Sequence, residues 1–195
     1  MQRRQFSTLA LTTAAAIATP AALAQDNVFK IGLIVPMTGQ QATTGRQIEA
    51  AARLYMAQHG DTVAGKKVQL IVKDDTSLPD VTRRLAQELV VNDKVQVLAG
   101  FGITPSALAV APIATQSKTP MVVMAAATSS ITEASPYVVR TSFTLPQASV
   151  ALADWAPKNG IKKVVTLVSD YGPGIDAEKF FKDRLLFNGG QVPET

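Results

Sequence analysis

From Val28 onward the chain alternates between two hydrophobic periods. Short, nearly continuous apolar runs occupy 29–35, 67–73, 95–99, 120–124 and 164–169. Stretches with helical spacing lie between them. In 45–59, Ile48, Ala51, Ala52, Tyr55 and Met56 share a face; in 80–92, Val81, Leu85, Leu89 and Val90 do so. Strands that are apolar on both sides and separated by helices of this length predict a parallel sheet covered on both faces. Right-handed crossovers then place every strand-to-helix turn at one edge of that sheet. The expected fold class is α/β.

The helix ends fit this reading. Thr104 followed by Pro105 is expected to cap a helix with proline at its first position, and Pro79-Asp80 opens another, with Asp80 near the positive end of the macrodipole. Pro112 is expected to bend or shorten its helix. His59 closes a helix before Gly60, where a cation is favoured. The strand-like run 138–143 has no long helix before it and is expected to lead the chain elsewhere. A helix at 147–159 ends at Gly160 and carries Leu152 and Trp155 as core candidates, and Lys163 begins a fresh β–α repeat whose helix spans 176–187. The expected organisation is an export signal at 1–24, a first lobe at 25–143 and the start of a second lobe at 144–195.

The first 24 residues read as an address rather than as fold. A basic start, Met1 to Gln5, precedes a mildly apolar Ala- and Thr-rich stretch and the small-x-small site Ala22-Leu23-Ala24. Arg3-Arg4-Gln5-Phe6 resembles the twin-arginine export pattern, with an ordinary two-arginine signal as the alternative. No cysteine follows the cleavage site, so a lipoprotein is excluded. The mature protein is expected to be soluble in the periplasm.

Composition narrows the function further. Of 195 residues 47% are hydrophobic and 17% charged, enough to bury a core. Without Arg3 and Arg4 the cations number 17 against 15 acids, a balance of +2, too small for a nucleic-acid binder judged on charge. The absence of cysteine excludes disulfides, thiolate catalysis and cysteine-ligated metals, and the single histidine, His59, excludes any site that needs two. No GxSxG, HExxH or Walker A pattern occurs.

Two turns carry the candidate chemistry. After the third apolar run comes Gly100-Phe101-Gly102-Ile103-Thr104-Pro105-Ser106, and after the fourth Ala125-Ala126-Ala127-Thr128-Ser129-Ser130. Both combine small residues, which admit a ligand close to the backbone, with hydroxyls at a helix start, where N–H groups and the dipole favour a carboxylate. The same hydroxyls serve equally as helix caps, and both readings stay open. Gly100-Phe101-Gly102 falls short of GxGxxG because Pro105 stands where the third glycine belongs. Asp74-Asp75 reads as a turn or cap, with acid–base or metal chemistry as the alternative. Tyr171 either faces the first lobe's turns across a cleft or packs.

The order of these pieces resembles a known family. Lys30-Ile31-Gly32-Leu33 leading to Pro36-Met37-Thr38-Gly39, Gly45, Gly65-Lys66-Lys67-Val68, Asp74-Asp75, Gly100 with Thr104, Pro120 before Met121-Val122-Val123, Ala126-Ala127-Thr128, Arg140-Thr141 and Asp170-Tyr171-Gly172-Pro173-Gly174 together resemble the type I periplasmic binding proteins of ABC importers, in the Leu/Ile/Val-binding branch. The resemblance implies two α/β lobes that close on a small ligand and present it to an ABC permease in the inner membrane, with no cofactor and no enzymatic chemistry. It places the ligand carboxylate on Thr104, Ala126 and Thr128, with Ala127 able to take either neighbour's place, and Tyr171 opposite from the second lobe. The family's amino-acid binders use an acid shortly after the Arg-Thr pair to hold the ligand's ammonium. Here Ser142-Phe143-Thr144-Leu145-Pro146-Gln147 follows Thr141, with no acid. An unpaired, desolvated ammonium costs several kcal/mol, so the expected ligand is an aromatic or other organic acid, with Phe143 a possible contributor from an unassigned direction. The chain is also shorter than the family's, and is expected to be a partial one. A sensing module of the same fold is the first alternative, an exported hydrolase the second.

Overall fold

The structure, a computed structural model, describes residues 27–193; the export signal expected at 1–24 lies outside the described residues. In chain order the elements are β1 (Val28–Val35), α1 (Ala42–His59), β2 (Thr62–Val63), β3 (Lys66–Asp74), α2 (Pro79–Val91), β4 (Val97–Gly100), α3 (Thr104–Ser117), β5 (Met121–Val123), a 3₁₀ turn (Ser129–Glu133), β6 (Val138–Arg140), α4 (Leu145–Lys158) and α5 (Gly172–Phe187). Six strands form one sheet in the order β2-β3-β1-β4-β5-β6. All neighbours are parallel except β2, which turns back on β3 through Ala64-Gly65, both at positive φ. That hairpin was not foreseen. β6 extends the sheet beside β5 instead of leaving it.

The period-2 alternation of β1 sorts its side chains between two cores. Ile34 faces α2 and α3, where Leu85, Ala86, Leu89, Ala107, Val110 and Ala111 bury against Leu98, Met121 and Val123. Leu33 and Val35 face the other side, toward Ile48 of α1. The apolar stripe of α2 is buried as its spacing predicts. The α1 stripe is not: Ile48, Ala52 and Met56 are half-buried, but Ala51 and Tyr55 are exposed, and Tyr55 stacks on His59 with ring centroids 4.2 Å apart. The stripe that touches the sheet is narrower than its apolar content suggests. α3 runs through Pro112 to Ser117. Pro112 lies on the exposed face, where water can serve the carbonyl that the missing N–H leaves free.

The chain crosses from β3 to β4 over β1, so the strand order reverses beside β1. Gly100 ends β4 there at φ 113°, and a Cβ on it would lie 2.1 Å from the Ile34 carbonyl oxygen. Behind this switch point runs a buried polar chain. Asp75 Oδ2 accepts from Thr82 Oγ1 at 2.9 Å, Thr82 Oγ1 meets Ser106 Oγ at 2.7 Å, and Asp75 Oδ1 accepts from the Ser77 N–H at 3.1 Å. It ties the β3–α2 turn to α2 and α3.

Helices α4 and α5 pack on each other through Ala153, Ala156, Phe181 and Leu185, with Arg184 donating to both carboxylate oxygens of Asp154 at 2.5 and 3.1 Å. The buried face of α4 is the small-residue face, so Leu152 and Trp155 point outward, Trp155 being 53% exposed, and neither is core. The expected strand 164–169 is not formed either. Only Lys163 pairs, with Gln191, and Leu167 is 99% exposed. A strand exists by its ladder, and here the ladder stops at its first rung, where the Val164 N–H donates to the Gln191 carbonyl at 3.0 Å.

Replacing Thr82 by Val removes the hydroxyl that satisfies the buried Asp75 oxygen while keeping its shape. In the complete protein this is expected to lower unfolding free energy by about 1–3 kcal/mol. Urea denaturation checks it, and a change under about 0.5 kcal/mol contradicts the role given to the chain.

Candidate ligand-binding site

The site is built where the carboxyl ends of β1, β4 and β5 meet. Ladder pairing places Gly100 opposite Val123, so the turns after β4 and β5 emerge side by side. They are bonded together: the Met124 N–H donates to the Gly100 carbonyl at 2.8 Å and the Ala126 N–H to the Phe101 carbonyl at 3.1 Å. Phe101 holds a left-handed backbone, φ 67°, with its ring fully buried. Its core contacts keep an aromatic residue in a conformation that few side chains adopt.

The two expected hydroxyls meet at the centre. Thr104 Oγ1 and Thr128 Oγ1 are 2.8 Å apart, and the residues are 4% and 7% exposed. Neither hydroxyl is spent on a cap. Ile103, not Thr104, is the N-cap of α3, Thr104 being its first helical residue, and Thr128 precedes the 3₁₀ turn without capping it. Of the two O–H groups one is used between them, which leaves one proton to donate elsewhere.

The first turn of α5 stands directly over this pair. A Cβ built on Gly172 would lie 3.2 Å from Thr128 Oγ1 and 3.6 Å from Thr104 Cγ2; glycine lets the helix start come this close. Three helical N-termini therefore converge, those of α3, the 3₁₀ turn and α5, each with N–H groups that lack intrahelical acceptors. The carbonyls that would repel an anion are occupied. Arg140 Nη1 donates to Thr128 O at 2.5 Å and to Ala126 O at 3.4 Å, Arg140 Nη2 to Ser129 O at 3.0 Å, and the Leu145 N–H to Ala127 O at 2.9 Å. Among the described residues Arg140 makes no ion pair with a carboxylate. Its charge backs the turn, so the site is more cationic than hydroxyls and dipoles alone would make it.

A cavity of about 120 Å³ opens against these groups, bounded by Gly102, Ile103 and Thr104 on one side, Ala125, Ala126 and Ala127 on another, and Gln41, Leu145, Tyr171 and Pro173 around its mouth. This is smaller than the roughly 300–1,000 Å³ of drug-sized pockets and suits a small molecule. Of the residues foreseen from the sequence, Thr104, Ala126, Ala127 and Tyr171 line it, with Tyr171 43% exposed. Thr128 stands behind Thr104 and reaches the cavity through it. Phe143 is exposed and does not line this cavity. Gln41, Arg140 and Leu145 were not read as site residues; the Arg140-Thr141 motif was the signal for one of them.

Asp74 and Asp75 serve the scaffold. Asp74 Oδ1 accepts from the N–H groups of Met37 at 2.8 Å, Thr38 at 3.3 Å and Thr76 at 2.8 Å, and Oδ2 from Thr38 Oγ1 at 2.7 Å. Burial pushes this carboxyl up, but the Thr38 hydroxyl and the three N–H groups together outweigh it and hold Asp74 below the usual carboxylate range. It pins the β1–α1 turn to the end of β3. Among the described residues no cluster of acids and histidine fits a metal ion.

A parallel sheet whose crevice gathers helix starts and unspent hydroxyls beyond its strand ends is a ligand-binding architecture of the type I periplasmic kind. The chain belongs to the periplasmic binding protein family, whose model matches residues 28–195. It is 48% identical over 188 residues to the Leu/Ile/Val-binding protein homolog 6 of Brucella abortus (strain 2308), an alignment that covers 96% of this chain and 48% of the relative. Among solved structures it is similar to a solute-binding protein of an ABC transporter from Rhodopseudomonas palustris BisB5 in complex with 3,4-dihydroxybenzoic acid (66% identity, TM-score 0.84, 85% of this chain and 46% of that one). A second, from Rhodopseudomonas palustris HaA2 in complex with p-hydroxybenzoic acid, shares 49% identity at TM-score 0.83, over 86% of this chain and 46% of that one. A leucine-binding protein from Thermotoga maritima shares 31% at TM-score 0.77, over 86% and 48%. The chain spans about half the length of the relatives it matches.

Because the folded pKa of Asp74 lies below its unfolded value of about 3.9, its charge stabilises the fold above about pH 4, and that contribution is lost as pH falls through the folded value. The stability difference between the native protein and Asp74→Asn is therefore expected to stay constant from about pH 7 to 5 and to shrink below about pH 4. Urea unfolding at each pH checks this; a difference independent of pH contradicts it.

Proposed function

We propose that this chain is the ligand-binding part of an exported solute-binding protein that serves an ABC importer from the periplasm, and that its ligand is an aromatic carboxylate of the hydroxybenzoate kind. Residues 25–143 form its first lobe and 144–195 the beginning of its second, with the ligand between them. The observation that carries the reading is the Thr104–Thr128 hydroxyl pair, buried, free of capping duty and placed where three helical N-termini meet.

The ligand carboxylate takes the remaining hydroxyl proton and the N–H groups of the α3 and α5 starts, with Ala126 and Ala127 leaving it room. The ring lies toward Tyr171, Leu145 and Ile103, and Gln41 and the Tyr171 hydroxyl can meet polar ring substituents. An α-amino acid fits less well. The run from Ser142 to Gln147 supplies no acid, and Asp176, the carboxylate bonded to the turn, is engaged by Ser129 and does not line the cavity. The solved relatives at 66% and 49% identity are complexes with hydroxybenzoic acids, which favours the same class here.

Titration calorimetry on the complete protein tests this. 4-Hydroxybenzoate and 3,4-dihydroxybenzoate are expected to bind and leucine to give no saturable heat. Thr104→Val is expected to weaken the aromatic acids by about 10- to 100-fold, the worth of a hydrogen bond to a charged group. Tight leucine binding with no response to aromatic acids contradicts the proposal.

A further inference from the structure

One contact joins α5 to the sheet unit at the candidate site without touching the cavity. Asp176, in the second turn of α5, accepts from the Ser129 N–H at 2.8 Å and from Ser129 Oγ at 3.1 Å, across 47 residues of sequence. The peptide group that supplies this N–H is the one between Thr128 and Ser129. Its other end, the Thr128 carbonyl, accepts from Arg140 Nη1 at 2.5 Å, while Arg140 Nη2 holds the Ser129 carbonyl at 3.0 Å. A single peptide group thus lies between a guanidinium at its oxygen and a carboxylate at its nitrogen, with its dipole aligned between the two charges.

We propose that Arg140, the Thr128–Ser129 peptide and Asp176 form a charge-aligned clasp that closes α5 over the site, and that Asp176 is a positioning residue for the ligand. This rests on the reading of the cleft given above. Hydrogen bonds to ionised partners are about twice as strong as neutral ones, and bonds at both ends of one peptide polarise it cooperatively. The clasp acts on both halves of the site at once. From the sheet side it fixes the peptide that carries the Thr128 side chain, and so the hydroxyl that meets Thr104. From the other side it holds the α5 start, with Gly172 against that hydroxyl and Tyr171 at the cavity mouth. Arg140 is bound to the turn whether or not α5 is near, because its partners lie within the sheet unit. Asp176 arrives only with α5. Closure therefore completes the charge pair, and opening leaves it half made.

The test uses the complete protein with Asp176→Ala, Asp176→Asn and Ser129→Ala. The chain has no cysteine, so spin labels on Ala51→Cys in α1 and Leu152→Cys in α4, both exposed, report the distance between the two units. In ligand-free protein Asp176→Ala is expected to shift the distance distribution toward longer values, with Asp176→Asn, which keeps one acceptor, in between. With 4-hydroxybenzoate, stopped-flow is expected to show dissociation about 10-fold faster in Asp176→Ala, with association changed less than about 3-fold, since affinity changes fall mostly on the off-rate. Unchanged distances in ligand-free Asp176→Ala overturn the clasp, whatever binds. A lengthened distance in a protein that binds no aromatic acid supports the clasp and sinks only the ligand assignment. Equal slowing of association and unchanged dissociation overturn the positioning role.

Discussion

The ladder between β4 and β5 sets the level at which two turns leave the sheet, and the rest of the site follows from that level. With Gly100 opposite Val123, the chain reaches Thr104 and Thr128 after similar lengths of turn, and their hydroxyls arrive within a hydrogen bond of each other. A one-residue slip would displace one turn by about 3.3 Å along the strand and reverse its side chains. The register is held by burial on both faces: Leu98 and Met121 on one side, Ala99 and Val122 on the other. It is held again past the strand ends, where Phe101 accepts a bond from Ala126. Packing in the sheet and geometry at the crevice are thus the same constraint seen at two places.

What the crevice offers is electrostatic more than steric. The starts of α3, the 3₁₀ turn and α5 contribute partial positive charge within a first turn of each helix, where the effect is strongest. Arg140 adds a full charge behind them, turning every nearby carbonyl of 126–129 away from anionic duty together with the Leu145 N–H. Such an arrangement suits the organic anion proposed above without a cationic side chain in contact with it, because the cavity wall is left to Ala, Gly and Leu with room for an apolar ring. Among the described residues Asp176 brings a carboxylate to the turn, where the Ser129 N–H and hydroxyl hold it.

Much of this was legible in the chain, and for identifiable reasons. The sheet could be read because its strands are continuous apolar runs, and the α2 stripe because it is buried across its width. Thr104 and Thr128 could be read because each follows a strand end at a helix start. Their roles could not: whether a hydroxyl caps its own helix or meets another hydroxyl 24 residues away depends on register, which periodicity does not fix. Trp155 misled because α4 buries small residues against α5 and turns its large ones outward. The run 164–169 misled because β propensity marks a strand without supplying its neighbours. Asp176 was hidden by four residues: with the helix start set at 176 it reads as an N-terminal acid, whereas Gly172-Pro173-Gly174 begins the helix and carries Asp176 round toward Ser129.

The claim on which all this turns is that the paired hydroxyls receive the charged end of an aromatic acid. A crystal structure of the complete protein with 4-hydroxybenzoate tests it most directly. A carboxylate oxygen is expected within about 3 Å of Thr104 Oγ1, with the Thr104–Thr128 contact retained and the ring directed toward Tyr171. A ligand seated with its phenolic end on Thr104, or bound away from the turns after β4 and β5, would contradict it.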